Sequence, residues 1–302
     1  MPQPALTTPV PHSVGLNRPL RQLPPGACDS HMHIFDPRFA SSPHWRRTPP
    51  VAPVAVYRQL QARLGTTRTV VVTPSTYGTD NACTLDALDQ LGDSARGVAV
   101  VNWDVGAEEL ARLAARRVRG LRVNFVSPQS WGTTTPEMLN TLARQVAEHP
   151  ACAGWHIQVF AHPEQLIALA PQLRALPVPL VIDHLGRIDP AEGPAAAAYG
   201  VVRGLLDGGH TWVKLSGAYM RSAVHGPSYA DTLPLGRALV QAAPDRLVWG
   251  SDWPHTTEAS GTVNDASLVD LLQAWTGSNA AMDRILVSNP VRLYGFDAAP
   301  AA

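Results

Sequence analysis

The segment GWHIQVFAHPEQLIALAPQLRALPVPLVIDHLG (154–186) places one amphipathic run between two short apolar runs. Residues 154–160 and 179–186 are rich in β-branched, aromatic and aliphatic side chains, which is typical of strands. Residues 163–176 carry leucines at helical spacing and begin with proline, a residue favoured in the first turn of a helix. The segment therefore predicts a strand, a helix and a second strand that lies parallel to the first.

The same alternation recurs along most of the chain. Strand-like runs occur at 28–35, 69–75, 96–102, 120–125, 154–160, 179–186, 212–218 and 246–253. Segments with helical spacing lie between or after them, at 107–118, 136–149, 163–176 and 264–275. Eight such units fit an α/β protein of the (β/α)8 TIM-barrel type better than a doubly wound sheet. We expect a proline-rich N-terminal arm at 1–26, a single catalytic barrel domain at 27–296 and a tail at 297–302.

Composition excludes several functional classes. The 24 Lys and Arg residues are balanced by 24 Asp and Glu residues, which argues against a binder of nucleic acid or of an anionic membrane. A hydrophobic content of 45% argues against a disordered chain. No apolar stretch reaches the roughly 18–20 residues of a membrane span. The cationic residues include one lysine, Lys214, so the lysine of a P-loop has no candidate after a glycine-rich loop.

The cysteines indicate a reducing environment. Cys28, Cys83 and Cys152 are odd in number and show no CxxC spacing, which argues against a disulfide scaffold and a cysteine-based zinc site. The N-terminal residues lack the charged and apolar regions of a secretory signal. We therefore expect a cytoplasmic protein.

Two histidines end the first predicted strand. His31 and His33 form an H-x-H pattern, and the two-residue period of a strand places both imidazoles on one face. This arrangement suits two ligands of one metal ion, or two donors to one anionic or carbonyl oxygen. Surface histidines with no role are the alternative interpretation.

Two further polar residues follow apolar runs. His184 comes after PLVI, and Asp252 comes after RLVW. A buried carboxylate is costly unless it is paired or coordinates another group. Both residues are therefore candidates for a site at the carboxyl ends of the strands. The alternatives are a hydrogen-bonded core histidine and a helix N-cap.

Three arginines fall at or just after strand ends. Guanidinium groups bind carboxylates bidentately, so Arg122, Arg187 and Arg221 indicate a carboxylated substrate, with surface ion pairs as the alternative. Other polar residues lie at strand ends or in the loops that follow, and we list them as candidates for the same pocket. They are Ser75, Tyr77, Asn102, Asn124, Gln158, Ser216 and His255.

Several motifs together carry a family resemblance. They are PPGACDSHMHIFDP, STYGTDNACTLDAL, GLRVNF, GWH, VIDHLGR, VKLSG, WGSDWPH and NPVRLYGF. In this order, from about residue 24 to 296, they resemble the amidohydrolase 2 branch of the amidohydrolase superfamily. Within that branch the chain is most similar to the lactonases of the 2-pyrone-4,6-dicarboxylate type. The resemblance implies a distorted barrel that hydrolyses lactones at the carboxyl-end mouth.

The resemblance also implies roles for the candidate residues. Asp252 would be the general base for water, and His31, His33 and His184 would polarise the carbonyl group. Arg122, Arg187 and Arg221 would hold the carboxylates of the substrate. The expected partner is a small carboxylated lactone, either the pyrone dicarboxylate or a related sugar or muconic lactone, in the catabolism of aromatic or sugar acids.

The sequence departs from the lactonase pattern in two places. Where these lactonases have a further arginine after strand four, this chain has Ser127-Pro128-Gln129. Where they have a tyrosine on strand five, this chain has Phe160. Both departures argue against the dicarboxylated pyrone itself and make a lactone with one carboxylate an equal candidate.

A metal requirement is not expected. The run GLRVNF offers Arg122 and Asn124 where a binuclear site needs a bridging carboxylate or a modified lysine, and an arginine repels a divalent cation. The lactonases that the chain resembles most work without a metal, whereas some of their relatives bind zinc. One Zn²⁺ or another divalent ion held by His31, His33, His184 or Asp252 is the alternative.

Other functions remain open beside lactone hydrolysis. The same residues could isomerise a lactone or decarboxylate an aromatic acid. Lys214, on the seventh predicted strand, could form a Schiff base in an aldolase. A non-catalytic binder of carboxylates on a barrel scaffold is the third possibility.

Overall fold

A computed structural model describes residues 7–127, 134–259 and 261–297 of the chain. It contains one eight-stranded sheet in which each strand pairs in parallel with the next along the sequence. The strands are β1 Cys28–Met32, β2 Arg68–Val72, β3 Ala95–Ala99, β4 Val118–Asn124, β5 His156–Phe160, β6 Leu180–Ile182, β7 Thr211–Leu215 and β8 Leu247–Trp249. The predicted TIM barrel is confirmed.

Helices follow the strands and cover the outside of the sheet. In the described residues they are α1 Val54–Leu64, α2 Ala82–Leu91, α3 Ala107–Ala115, α4 Pro136–Glu148, α5 Pro163–Ala168, α6 Ala170–Arg174, α7 Ala197–Asp207, α8 Leu233–Ala242, α9 Asp265–Thr276, α10 Asn279–Asp283 and α11 Asn289–Tyr294. A π-helical turn, Arg284–Ser288, joins the last two. Buried leucines on helices such as α3 and α4 pack against the strands, so the main core lies between the two layers.

The strands end earlier than the sequence predicts. The runs 179–186 and 246–253 contain strands of three residues each, Leu180–Ile182 and Leu247–Trp249. The residues that follow turn away into loops, where His184 and Asp252 adopt left-handed backbone angles with φ values of 51° and 60°. The predicted helix 163–176 is divided into α5 and α6, because Pro171 lies in the first turn of α6 and has no N–H to continue α5.

The barrel closes through a seam, which we define as the hydrogen bonds between β1 and the residues just after β8. The Asp252 N–H donates to the His31 carbonyl at 2.7 Å, and the His33 N–H donates to the Trp253 carbonyl at 2.8 Å. Gly250 lies against this contact, and a Cβ atom there would stand 2.5 Å from the His31 Cβ. A glycine is therefore needed for the two strands to approach this closely.

The described part of the N-terminal arm, from residue 7, packs against the barrel. The side chain of Arg63, in α1, is fully buried and donates to the carbonyl groups of Val14 and Asn17 at 2.8 and 2.9 Å. The Trp253 indole donates to the Pro11 carbonyl at 3.0 Å, so the arm also contacts the segment after β8. In the described part of the chain, no helix has both the length and the apolar character needed to cross a membrane.

Candidate active site

A pocket lies at the carboxyl ends of the strands. Six predicted residues line it: His33, Ser75, Arg122, Asn124, His184 and Asp252. The loop after β1 adds Trp45 and Arg47, whose guanidinium group lies 4.8 Å from the centre of the Trp45 ring. The pocket therefore has a carboxylate and two histidines at its base and two arginines in its lining.

Asp252 has different partners on its two carboxylate oxygens. Oδ1 lies 3.5 Å from Nε2 of His31 and 3.4 Å from Nε2 of His33. Oδ2 accepts a hydrogen bond of 2.5 Å from the Tyr219 hydroxyl. Burial raises the pKa of Asp252, but the neighbouring His184, His33 and His31 outweigh burial and hold this pKa below its usual range. The carboxylate is therefore ionised and able to accept a proton.

The two histidines of the H-x-H pattern are held differently. Nδ1 of His33 lies 2.8 Å from the Val72 carbonyl, which only accepts, so this nitrogen carries a proton and Nε2 is the ring nitrogen that faces Asp252. Nδ1 of His31 lies 3.2 Å from Nζ of Lys214. Burial and then the charge of Lys214 lower the pKa of His31 well below its usual value, so the ring is neutral. Nε2 of His31 is buried and has no hydrogen-bond partner among the described residues.

His184 completes the group of imidazoles. Its ring centre lies 4.7 Å from that of His31, and its Nδ1 is hydrogen-bonded to the Ser216 hydroxyl at 2.9 Å. Burial lowers the pKa of His184, which favours the neutral ring. A Cβ atom on Gly217 would lie 2.9 Å from this Nδ1, so the loop after β7 can approach the ring only with glycine there.

Asp183 is a central residue that the sequence interpretation missed. Its Oδ2 accepts from Nε of Arg122 and from Nε2 of Gln158, both at 3.1 Å. Its Oδ1 lies 3.4 Å from His31 Nδ1 and 4.0 Å from Lys214 Nζ. Burial raises the pKa of Asp183, but His31 and Arg122 outweigh burial and keep it well below the usual range. The signal was available, because Asp183 follows the same apolar run as His184.

The structure separates the three predicted arginines. Arg122 lines the pocket, and its guanidinium group lies 5.0 Å from the Phe160 ring centre. Arg187 stacks on the same ring at 5.2 Å but lines a smaller cavity on the other side of His184. The Arg221 side chain is 40% exposed and pairs with Asp189 at 3.3 Å. The geometry therefore brings Arg122, but neither Arg187 nor Arg221, into the pocket lining.

The remaining candidate residues also differ in whether they line the pocket. Asn124 donates to the Ser75 hydroxyl at 2.9 Å within the pocket. Tyr77 is buried and accepts from the Asp36 N–H, whereas Asn102 is exposed. His255 is buried behind Tyr219, at 3.1 Å from its hydroxyl. Of the stretch that departs from the lactonase pattern, Ser127 lines the pocket, while 128 and 129 lie outside the described residues.

The donor set fits one divalent ion. His31, His33 and Asp252 offer ligand atoms within 4.8 Å of one another, and so do His31, Asp183 and His184. The unpartnered Nε2 of His31 supports the fit. So does the bond from His33 Nδ1 to a carbonyl, which is how metal-binding histidines are commonly oriented. The ligand set formed by His31, Asp183 and His184 is less favourable for an ion, because Arg122 and Lys214 lie beside Asp183.

Comparison with known proteins assigns the class. The amidohydrolase family profile matches residues 28–296. The chain therefore belongs to the amidohydrolase family and is a hydrolase, as the sequence predicts. It is 34% identical to the 4-sulfomuconolactone hydrolase of Hydrogenophaga intermedia, over 92% of this chain and 91% of that protein. It is 33% identical to the 2-pyrone-4,6-dicarboxylate hydrolase of Comamonas testosteroni, over 92% of this chain and 93% of that one.

A solved structure agrees with this assignment. The crystal structure of a probable 2-pyrone-4,6-dicarboxylic acid hydrolase from Acinetobacter baumannii, with citric acid bound, superposes with a TM-score of 0.76. It is 28% identical to this chain, and the match covers 90% of this chain and 100% of that one. The predicted resemblance to lactonases of this type is confirmed.

Proposed function

We propose that this protein hydrolyses a small lactone that bears an acidic group, with Asp252 as the general base. The observation that carries the proposal is the asymmetry of the Asp252 carboxylate. Oδ2 is occupied by Tyr219, while Oδ1 faces the two Nε2 atoms of His31 and His33 at the base of the pocket. A water molecule there would have Asp252 Oδ1 as the acceptor for one of its protons.

The proposed reaction has two steps. Asp252 Oδ1 takes a proton from water as the water oxygen attacks the lactone carbonyl carbon. Donors at His31 and His184 stabilise the negative charge that develops on the carbonyl oxygen. The ring carbon–oxygen bond then breaks, and the proton on Asp252 passes to the departing ring oxygen. The water oxygen thus becomes part of the new carboxyl group, one water proton ends on the former ring oxygen, and Asp252 returns to its ionised state.

The lining of the pocket supports an acidic substrate. Arg122 and Arg47 both reach it, and arginine binds carboxylates and similar oxyacids through paired N–H groups. The names of the two relatives describe lactones with a sulfonate or with two carboxylates. We infer a lactone with at least one acidic group, placed so that the acid contacts the arginines and the ring carbonyl contacts the histidines.

We further propose that no divalent ion is required. An ion held by His31, His33 and Asp252 would polarise the carbonyl group or lower the pKa of bound water. The cationic side chains of Arg122 and Lys214, both in contact with the Asp183 network, oppose such an ion. Activity should therefore survive prolonged dialysis against a chelator. Stoichiometric zinc by metal analysis, with activity lost on removal and restored on return, would contradict this.

Turnover in ¹⁸O-labelled water tests the reaction. The protein is incubated with 2-pyrone-4,6-dicarboxylate, 4-sulfomuconolactone and a sugar-acid lactone, and the products are analysed by mass spectrometry. Hydrolysis places one ¹⁸O in the new carboxylate, whereas isomerisation adds none and decarboxylation releases CO₂. Recovery of every lactone unchanged, with saturable binding, would indicate a non-catalytic binder.

Matched variants test the base. Asp252→Asn should lower kcat by roughly 10²–10⁴-fold with little change in substrate binding, because the amide cannot take the proton. Asp189→Asn, which changes an exposed carboxylate paired with Arg221, should leave kcat unchanged. A loss below tenfold in Asp252→Asn would remove Asp252 from the mechanism. Lys214 is fully buried and does not line the pocket, which argues against the aldolase alternative, and failure of borohydride trapping would agree.

A further inference from the structure

We propose that Tyr219, His255 and Asp265 form a buried chain behind Asp252 that selects which carboxylate oxygen acts as the base. The proposal rests on the function proposed above, because it concerns the orientation of the same carboxylate. None of these three residues lines the pocket, and the proposal gives them a shared positioning role in the reaction. His255, a candidate substrate contact from sequence, is thereby reassigned to a place behind the base.

The chain is continuous and drawn from three parts of the fold. The Tyr219 hydroxyl, in the loop after β7, lies 2.5 Å from Asp252 Oδ2 and 3.1 Å from Nδ1 of His255. Nε2 of His255 lies 3.1 Å from Oδ2 of Asp265, the first residue of α9. The exposed fractions of Asp252, Tyr219, His255 and Asp265 are 5%, 7%, 4% and 0%. Water therefore has little access to these bonds.

The positions of the protons follow from the partners. Asp252 is a carboxylate and only accepts, so the single hydroxyl proton of Tyr219 points to Oδ2. The same hydroxyl oxygen must then accept from Nδ1 of His255. Asp265 also only accepts, so Nε2 of His255 carries a proton too. Both ring nitrogens are donors, and His255 is an imidazolium ion whose charge is balanced by Asp265.

The electrostatic surroundings agree with this assignment. Burial lowers the pKa of His255, but the charge and hydrogen bond of Asp265, together with Asp252, outweigh burial and raise this pKa above its usual value. Burial and the charge of Asp252 raise the pKa of Tyr219 well above its usual value, so the hydroxyl keeps its proton. The Tyr219 hydroxyl and Nδ1 of His255 therefore donate toward Asp252, whereas Nε2 of His255 donates to Asp265.

The chain leaves one oxygen of Asp252 free to react. Oδ2 is held by Tyr219 and cannot rotate into the pocket without breaking a short, charge-assisted bond. Oδ1 is thereby fixed beside His31 and His33, where the attacking water would lie. Asp252 and His255 both have φ values of 60°, and the His255 N–H bonds to the Asp252 carbonyl at 2.9 Å. The side-chain bonds of the chain thus offset the cost of this turn.

A double-mutant cycle on kcat separates this role from a merely structural one. Tyr219→Phe should lower kcat by roughly 10–100-fold while KM changes by less than about threefold, because the carboxylate loses its orientation but the pocket lining is intact. Asp265→Asn should lower kcat by a smaller factor. If Asp265 acts through Tyr219, the double variant Tyr219→Phe/Asp265→Asn should be no slower than Tyr219→Phe alone.

The control removes a comparable hydroxyl elsewhere. Tyr57 is fully buried and donates to the buried Asp29 at 3.1 Å, outside the pocket. Tyr57→Phe should lower Tm but change kcat by less than about twofold, and Tm is recorded for every variant. If Tyr219→Phe does not fold, the same cycle is carried out with His255→Gln in place of Tyr219→Phe.

The outcomes are distinguishable. Losses in kcat that multiply in the double variant, or a rise in KM equal to the fall in kcat, would overturn the chain while leaving hydrolysis by Asp252 intact. Full activity in Asp252→Asn would instead overturn the proposed function itself. A non-multiplying loss confined to kcat supports the chain.

Discussion

Arg47 and Arg122 line the same pocket, but they differ in what else they contact. Nε of Arg122 is bonded to the buried Asp183, so part of its charge is already balanced. Arg47 is exposed and stacks on Trp45 at the rim of the pocket. Among the described residues, no buried carboxylate is bonded to the Arg47 guanidinium group, so the loss of this group would leave the interior of the barrel unchanged.

We expect Arg47→Met to raise KM by roughly tenfold and to change kcat by less than about threefold. A charge-assisted contact to a substrate acid is worth about 1.5 kcal/mol in both the ground state and the transition state. Steady-state kinetics on the lactone that the wild type opens most efficiently measures both constants. Arg46→Met removes the same charge from the adjacent exposed residue outside the pocket lining and serves as the control. Equal effects of the two substitutions would indicate general electrostatic attraction instead of a contact.

Part of the site is readable from local sequence patterns. His31 and His33 follow from the two-residue period of a strand, and Asp252 follows from a carboxylate placed after an apolar run. Tyr219 and Arg47 carry no such local signal, because they lie in loops whose return to the pocket depends on contacts between distant parts of the chain. Local sequence patterns therefore predict which residues lie at the ends of the strands, but they do not predict how the loops fold over these ends.

At the level of helices and strands, the order of the strands in the sheet could be predicted from local sequence patterns. Each run of β-branched residues is followed by a segment with helical spacing. Because short connections join each helix to the next strand, consecutive strands pair in parallel, and eight such units form a barrel. The strand ends were not readable. The runs VIDHLG and VWGSDW stay apolar enough to resemble strands, while His184 and Asp252 have the left-handed backbone of turns. The residues that leave the sheet early are those that the site uses.

The seam between β1 and β8 yields a prediction at this scale. We expect Gly250→Ala to lower the free energy of unfolding by about 1–3 kcal/mol, because its Cβ would lie 2.5 Å from the His31 Cβ and 2.7 Å from the His31 backbone nitrogen. Separation of the strands would also displace Asp252 from His31, and kcat should fall at least tenfold. Urea unfolding and steady-state kinetics measure the two effects.

Gly200→Ala is the matched control for this substitution. Gly200 lies within α7, and, apart from its chain neighbours and the backbone of its own helix, no atom of the described residues lies within 4 Å of the position that its Cβ would take. Alanine there should stabilise the protein by about 0.4–1 kcal/mol, through a less flexible unfolded chain, and leave kcat unchanged. A Gly250→Ala variant that is as stable and as active as Gly200→Ala would contradict the account of the seam.

At the scale of the whole molecule, a histidine far from the pocket opening shapes stability in acid. His156, at the start of β5, is fully buried, and its ring has no hydrogen-bond partner among the described residues. Its ring stands against Gly120, where a Cβ would lie 2.5 Å away, and 5.4 Å from the ring of Tyr294. Burial, with a smaller effect of Lys214, lowers the pKa of His156 to about 3.

We expect the free energy of unfolding of His156→Leu to fall less than that of the wild type as the pH is lowered. A folded pKa of about 3 lies below the ordinary value of 6.5, so the stability is present above pH 6.5 and is lost progressively as the pH falls toward 3. Between pH 7 and pH 5 this one group costs the wild type about 2 kcal/mol, which the variant should retain. Urea unfolding at the two pH values measures the difference.

The exposed His210 provides the comparison for this effect. His210→Leu removes the same ring from a solvated position, so its unfolding free energy should depend on pH as that of the wild type does. If His156→Leu and the wild type lose equal stability between pH 7 and pH 5, the buried ring does not resist protonation. The account of His156 would then be wrong.

The seam also determines when, during synthesis and folding, the residues of the pocket come together. Asp29 and Ser251, which are bonded across it, are 222 positions apart in the chain. During synthesis β1 leaves the ribosome long before β8, and a contact between such distant segments is among the slowest to form. A nascent chain already carries His31, His33 and Arg122 but lacks Asp252, the proposed base. With Asp252 as the base, we expect hydrolysis to begin only when the last strand has joined the first, and chains that end before residue 252 to be inert toward lactones.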